Sequence, residues 1–322
     1  MTFSILSHDP RDGSIGLASQ SHFFGVGSVV GTAEAGVGAV VSQAFANTDW
    51  PPAALAALRA GRTPRDIVDE LVQGDPWSAY RQLAVMDATG RHATFTGGRC
   101  VPRTGTATGP GVVAVGNMLA GSEVCAAMVA AYDASPGPAE RRLAGALAAG
   151  ERAGGDARGS QSAYLRVVGG ARTDRPWREV RTDIRVDDAP DPIGELARLL
   201  PIQNGFRSVG AALFTPGVVI GAPGDLDPGT DPAEFVDRLT DAVRALGDNR
   251  EAALWRAVIL LRSSAPDRGR DRDSGRDRDR ERERGRRELA ELLADRPSLG
   301  PFVRALADVG ILTTADVPDG PG

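Results

Sequence analysis

The sequence predicts an α+β protein built as a four-layer αββα sandwich, two antiparallel sheets face to face with a helix layer outside each, followed by a small helical C-terminal extension. Three observations carry this. Strand patterns arrive as hairpins closed by Asp, Pro, Gly and Ser turns. Helical patterns arrive in pairs between those hairpins, whereas a doubly wound parallel sheet would alternate single strands with single helices. A polar tract then separates this block from a last helical run.

In order, TFSILS (2–7), the turn DPRDGS and IGLASQS (15–21) read as a hairpin. GSVVGTAEAGVGAVVSQ (27–43) is rich in valine and too broken by glycine for a helix, so it suits two short strands with close backbone approach. WPPAALAALRAG (50–61) opens with proline and ends with glycine. TPRDIVDELVQG (63–74) has Thr63 three residues before Asp66, Pro64 just inside and Gly74 as terminator, so both segments are helices. RQLAVMDATGRHATFTG (81–97) alternates on both sides of its DATG turn and forms a second hairpin. VVAVGNM (112–118) is a further strand, AGSEVCAAMVAAYDAS and GPAERRLAGALAAGERAGG (137–155) carry helical spacing, and SAYLRVVGG (162–170) closes the block as a strand. GAALFTPGVVIGAP (210–223) is apolar but glycine-broken, a sheet edge or packing segment. FVDRLTDAVRALG (235–247) and EAALWRAVILLRS (251–263) form a helical hairpin.

Composition narrows the function classes. With 42% hydrophobic residues among 322 the chain can bury a substantial core. No run reaches the roughly 18 apolar residues of a membrane span, and no signal-peptide pattern precedes TFSIL, so a cytoplasmic protein without membrane partners is expected. Net charge is -5, and no unneutralised basic stripe is offered to phosphates, which argues against nucleic acid. Cys100, Cys125, His8, His22 and His92 make no metal-ligand spacing, so no metal or cofactor is expected and both cysteines read as buried thiols. Every basic residue other than histidine is arginine, which removes lysine from any catalytic role.

Thr2 stands out. A small residue behind Met1 lets aminopeptidase expose it, uniting a hydroxyl nucleophile with an α-amine whose ordinary pKa of about 7.7–8.0 suits it as the base.

TFSI at the start, SHFFGVGSVV (21–30), AEAGVGAVVSQAFAN (33–47), TGGRC (96–100), VGNMLAG (115–121), GGDARGSQSA (154–163) and RVDDAPDPIGELARLL (185–200) together resemble the DUF1028 family, over about residues 1–200. That resemblance implies the αββα fold of the N-terminal nucleophile (Ntn) hydrolases and the hydrolysis of an amide bond. With the patterns above, the chain is expected to divide into an Ntn-hydrolase-like domain (1–230), the helical hairpin (231–264), a charged low-complexity linker (265–288) and a small helical tail (289–322).

The catalytic set expected from these readings is Thr2, His22, Asn117 and Asp156, with Gln43, Asn47, Gln161 and Ser162 binding substrate. His22 stands where similar sequences carry lysine; it either tunes the Thr2 amine or packs against Phe23 and Phe24 at a strand edge. Asn117 is expected to donate to an oxyanion, or else to end a strand. Asp156 either approaches the amine or pairs with Arg158. Gln43 and Asn47 reach a substrate amide or satisfy backbone groups. Residues 265–288, alternating Arg with Asp or Glu, cannot build a core and read as a solvated linker or irregular helix. The run 289–312 is similar to a peptidoglycan-binding segment, and a helical cap or homodimer contact fits it equally. The expected function is cleavage of a small or cyclic amide through an acyl-enzyme; the alternative is a noncatalytic binding module for a peptide or cell-wall fragment.

Overall fold

A computed structural model describes residues 2–222, 225–263 and 274–318. The protein is α+β, with two antiparallel sheets and nine α-helices among the described residues. It divides into two compact units, one ending at Leu200 and the other beginning at Pro201.

In the first unit, β1 (Thr2–His8) and β2 (Ile15–Ser21) form the first hairpin, with Thr2 opposite Ser21 and His8 opposite Ile15. They lie at the centre of a six-stranded sheet ordered β10-β9-β2-β1-β8-β7, completed by β7 (Gly105–Gly109), β8 (Val112–Asn117), β9 (Ser162–Val168) and β10 (Val180–Val186). The second sheet is ordered β3-β4-β5-β6, from β3 (Gly31–Glu34), β4 (Gly38–Ala44), β5 (Arg81–Asp87) and β6 (His92–Thr96). Gly31 is required where β3 meets β4: its φ is 146°, and a Cβ there would lie 2.0 Å from the Val40 carbonyl oxygen.

Period-two alternation explains the packing. Phe3 and Ile5 of β1 point to one face, where they join Ala114, Leu165 and the buried residues of α3 (Val124–Ala134) and α4 (Ala139–Arg152). Leu6, Leu17 and Val113 point the other way and meet Ala39, Val41, Ala84 and Met86 of the second sheet. The far face of that second sheet, with Val40, Leu83 and Val85, is covered by α1 (Trp50–Arg59) and α2 (Pro64–Gly74). The Thr63 hydroxyl caps α2 by accepting from the Asp66 N–H at 3.2 Å, as its sequence predicts.

Helix α5 (Pro192–Phe214) ends well inside the stretch read as a sheet edge or packing segment. Its residues from Pro201 onward belong to the second unit, where Val209 and Ala212 join the apolar cluster of α6 (Pro232–Leu246), α7 (Glu251–Ser263), α8 (Ser274–Asp295) and α9 (Gly300–Asp308). This is why the division falls at 200/201 and not at the expected 230.

The charged tract also differs from its compositional reading. Part of the expected linker, 265–273, lies outside the described residues; from Ser274 the chain is helical and α8 packs on α7. Gly285 permits the approach, since a Cβ there would lie 3.0 Å from Leu261 Cγ. Glu288 accepts from Arg256 at 2.9 Å and from Arg284 at 2.8 Å, so the interleaved charges pair along and between the helices. Leu289 is fully buried in this cluster. Leu289→Ala is therefore expected to destabilise the helical unit by about 2–5 kcal/mol. Calorimetry of the full chain checks this, and melting indistinguishable from wild type would show α8 to be solvated.

Candidate active site

The layer between the sheets changes character along its length. At one end it is apolar, around Leu6, Leu17 and Met86; at the other, the same strand faces present Thr2, Ser4, Ser19, Ser21, Gln43, Gln82 and Asn117. Of these seven only Thr2, at 8%, is more than 2% exposed. Such a buried polar group is tolerable only if its members satisfy one another.

They do so in a directed chain. The Ser19 hydroxyl lies 2.8 Å from Ser4 Oγ, and Ser4 donates to Gln43 Oε1 at 2.7 Å. With its carbonyl oxygen committed to Ser4, Gln43 turns its amide nitrogen toward the Thr2 carbonyl oxygen (3.1 Å) and Gln82 Oε1 (2.7 Å). Asn117, the cross-strand partner of Thr2 on β8, donates from Nδ2 to the same Thr2 carbonyl at 3.3 Å and to Gln82 Oε1 at 3.2 Å. Gln82 returns its own amide hydrogens to the Gly116 carbonyl at 2.9 Å and Thr96 Oγ1 at 3.0 Å. Two side-chain amides thus fix the backbone of Thr2, while its hydroxyl donates to Ser21 Oγ at 3.2 Å.

Immediately after each of these two amides the backbone turns left-handed: Ala44 has φ of 66° and Met118 has φ of 50°. Non-glycine residues rarely adopt this conformation, which turns the chain sharply at the ends of β4 and β8.

Thr2 opens onto a cleft of about 250 Å³. Ser21, Ser42, Gln43 and Thr48 contribute its neutral polar wall, and Phe23, Val26, Val29, Val30, Ala44 and Ala46 its apolar wall.

The expected site residues divide into two groups. Thr2, Gln43 and Asn117 come together. Both Asn117 amide hydrogens are engaged, however, so this side chain has no donor left for an oxyanion; its Oδ1 is buried with no hydrogen-bond partner among the described residues. His22 follows Ser21 but does not line the cleft: its ring is exposed and its backbone N–H donates to Asp156 Oδ2 at 3.1 Å. Asp156 is buried and also accepts the Arg158 N–H at 2.8 Å, so it fastens two loops and does not approach Thr2 from within the cleft.

Ser162 serves the 22–26 turn, donating to the Phe23 carbonyl at 2.5 Å and accepting from the Val26 N–H at 3.1 Å. Gln161 donates to Asp188 at 3.1 Å. Asn47 donates to Asp75 at 2.9 Å. Burial pushes the Asp75 carboxyl up, but the hydrogen bonds from Asn47, Arg81 and the Trp77 N–H outweigh it and hold the group below its ordinary range. These three residues are structural ties and leave the cleft to others.

The sequence reading missed Ser21, Ser42 and Gln82. Ser21 was within reach, because the hairpin register that pairs His8 with Ile15 necessarily sets residue 21 opposite residue 2. Gln82 carried only the weak signal of a fully buried amide in a strand otherwise of apolar pattern.

Cysteine offers no competing nucleophile here. Burial pushes the Cys125 thiol up to about 12 and raises that of Cys100 as well, so both stay protonated at neutral pH. Among the described residues no group of three or more His, Cys, Asp and Glu side chains is gathered to hold a metal ion.

The fold and site define an α+β protein whose first strand carries a threonine hydroxyl at the mouth of an inter-sheet cleft. The chain belongs to the family of unknown function DUF1028, whose model matches residues 2–196. It is 38% identical to protein SPO2555 from Silicibacter pomeroyi, a crystal structure carrying the same family model, with a TM-score of 0.56 over 62% of this chain and 87% of that one. No curated protein matches it.

Proposed function

We propose that this protein is an N-terminal-threonine amidohydrolase of the Ntn type, its two facing sheets and outer helix pairs forming the αββα sandwich of that superfamily. The observation that carries the reading is the anchoring of Thr2: two buried amides hold its carbonyl while its hydroxyl remains on a cleft. A strand that served only to pair would need neither.

With Met1 removed, the Thr2 amine takes the hydroxyl proton as Oγ1 attacks the substrate carbonyl carbon, directed by its hydrogen bond to Ser21. The resulting ammonium gives that proton to the leaving nitrogen as the carbon–nitrogen bond breaks, leaving an ester on Oγ1. Water, deprotonated by the same amine, then cleaves the ester to release the acid and restore Thr2. Asn117 acts as a positioning residue: its Nδ2 holds the carbonyl of Thr2.

Intact-mass measurement of protein from its native host tests the first requirement. Loss of one methionine with an unmodified amine is expected; a population uniformly retaining Met1 defeats the mechanism.

A further inference from the structure

The walls of the Thr2 cleft restrict what can occupy it. None of its lining side chains is charged: those of Thr2, Ser21, Ser42, Gln43 and Thr48 are neutral and polar, and the remainder are valine, alanine and phenylalanine. The most polar of them are already committed. Both ends of the Gln43 amide are engaged within the network, and Ser42 Oγ accepts the Asn47 N–H at 3.0 Å. With Met1 removed, the Thr2 amine lies at the end of the cleft where the scissile carbonyl would sit; a carboxylate or ammonium seated away from it, against Val29, Val30 and Ala46, would lose water without gaining a counter-charge from any lining side chain, a penalty that excludes charged groups there more strongly than the walls attract apolar ones. The volume of about 250 Å³, at roughly 30 Å³ per small non-hydrogen group, holds about eight such atoms.

We infer that this cleft is an acyl pocket: the substrate is the amide of a neutral, apolar acyl chain of about six carbons, seated against Val29, Val30 and Ala46 with its carbonyl at Thr2 Oγ1. This assignment rests on the hydrolase reading for the carbonyl's position, but the selectivity follows from the walls alone. Ala46 is the position at which to test it, because it lines the cleft, is partly exposed and belongs to none of the buried apolar clusters.

The test separates the two readings by measuring binding without turnover. Full-length Thr2→Ala protein is titrated with hexanamide and with adipamate, in which a carboxylate replaces the terminal methyl of the same six-carbon chain, using ligand-observed NMR. Hexanamide is expected to bind at least tenfold more tightly. Adding Ala46→Arg should erase or reverse that preference by supplying a cation, with melting temperature reporting that both variants fold. Equal or tighter binding of adipamate overturns the pocket assignment, as does failure of hexanamide to bind at 50 mM or a preference unmoved by Ala46→Arg. If selective binding is found but wild-type protein does not hydrolyse hexanoyl anilides, the hydrolase reading fails and the pocket stands.

Discussion

Thr2→Ala is expected to reduce amide turnover by about ten-thousandfold or more while leaving the fold intact, because removing the attacking atom of a unit that acts together abolishes most of its catalysis. The structural cost is small. Thr2 sits at the first position of β1, and its carbonyl keeps both amide donors whatever the side chain. Thr2→Ser keeps the hydroxyl and the amine, so it should retain part of the activity. Its missing methyl frees the rotamer that Ser21 now helps to fix, and the loss should fall on kcat more than on KM. Steady-state kinetics of the three proteins on a hexanoyl anilide, with circular dichroism as the folding control, checks the series. Wild-type turnover by a folded Thr2→Ala protein would require another nucleophile or the binding-module reading.

Gln43→Leu is expected to lower stability by roughly 2–4 kcal/mol, the largest effect of any single substitution in the polar layer. Leucine nearly conserves volume but leaves the Ser4 hydroxyl without its acceptor and deprives the Thr2 carbonyl of the shorter of its two side-chain donors. Each buried group so orphaned costs about 1–3 kcal/mol. Asn117 partly compensates at Gln82 Oε1 and at Thr2, which keeps the total below a simple sum. Urea denaturation followed by far-ultraviolet circular dichroism gives the value. A loss under 1 kcal/mol would mean that the network is hydrated, with no dry inter-sheet layer at that end.

Much of the first unit was legible because its strands and helices announce themselves locally. The β1–β2 hairpin, the Thr63 cap and the glycine-broken β3–β4 pair each follow from a few neighbouring residues. Strands β7 and β10 escaped notice for a physical reason: they are the two edges of their sheet, and GTATG and VRTDIRV alternate small, polar and charged residues where a central strand would show an apolar run. Helix α5 was obscured by Pro201, Gly205 and Gly210, which look like breaks although the helix continues through them. At the site, Thr2 could be singled out because its chemistry depends on one residue. The Ser19-to-Asn117 chain of hydrogen bonds could not, since it joins five strands from two sheets and no local pattern marks which buried amides will meet. His22 and Asp156 do not line the cleft, because a motif fixes neighbourhood along the chain, and the alternation of β2 sends Ser21 toward Thr2 but not the residue after it.

The central position of β1 has a consequence for the life of the nascent chain. Thr2 pairs with Asn117, 115 positions later, so the inner sheet cannot close around the chain start until that much has left the ribosome. At about 5–20 residues per second, this leaves roughly 5–20 s in which the start is still accessible to an aminopeptidase. After closure, Thr2 is 8% exposed. For the proposed mechanism, maturation is therefore a race between trimming and folding. On that mechanism, a preparation that keeps Met1, or one fused at its start to an affinity tag, is expected to fold and to show no amide turnover.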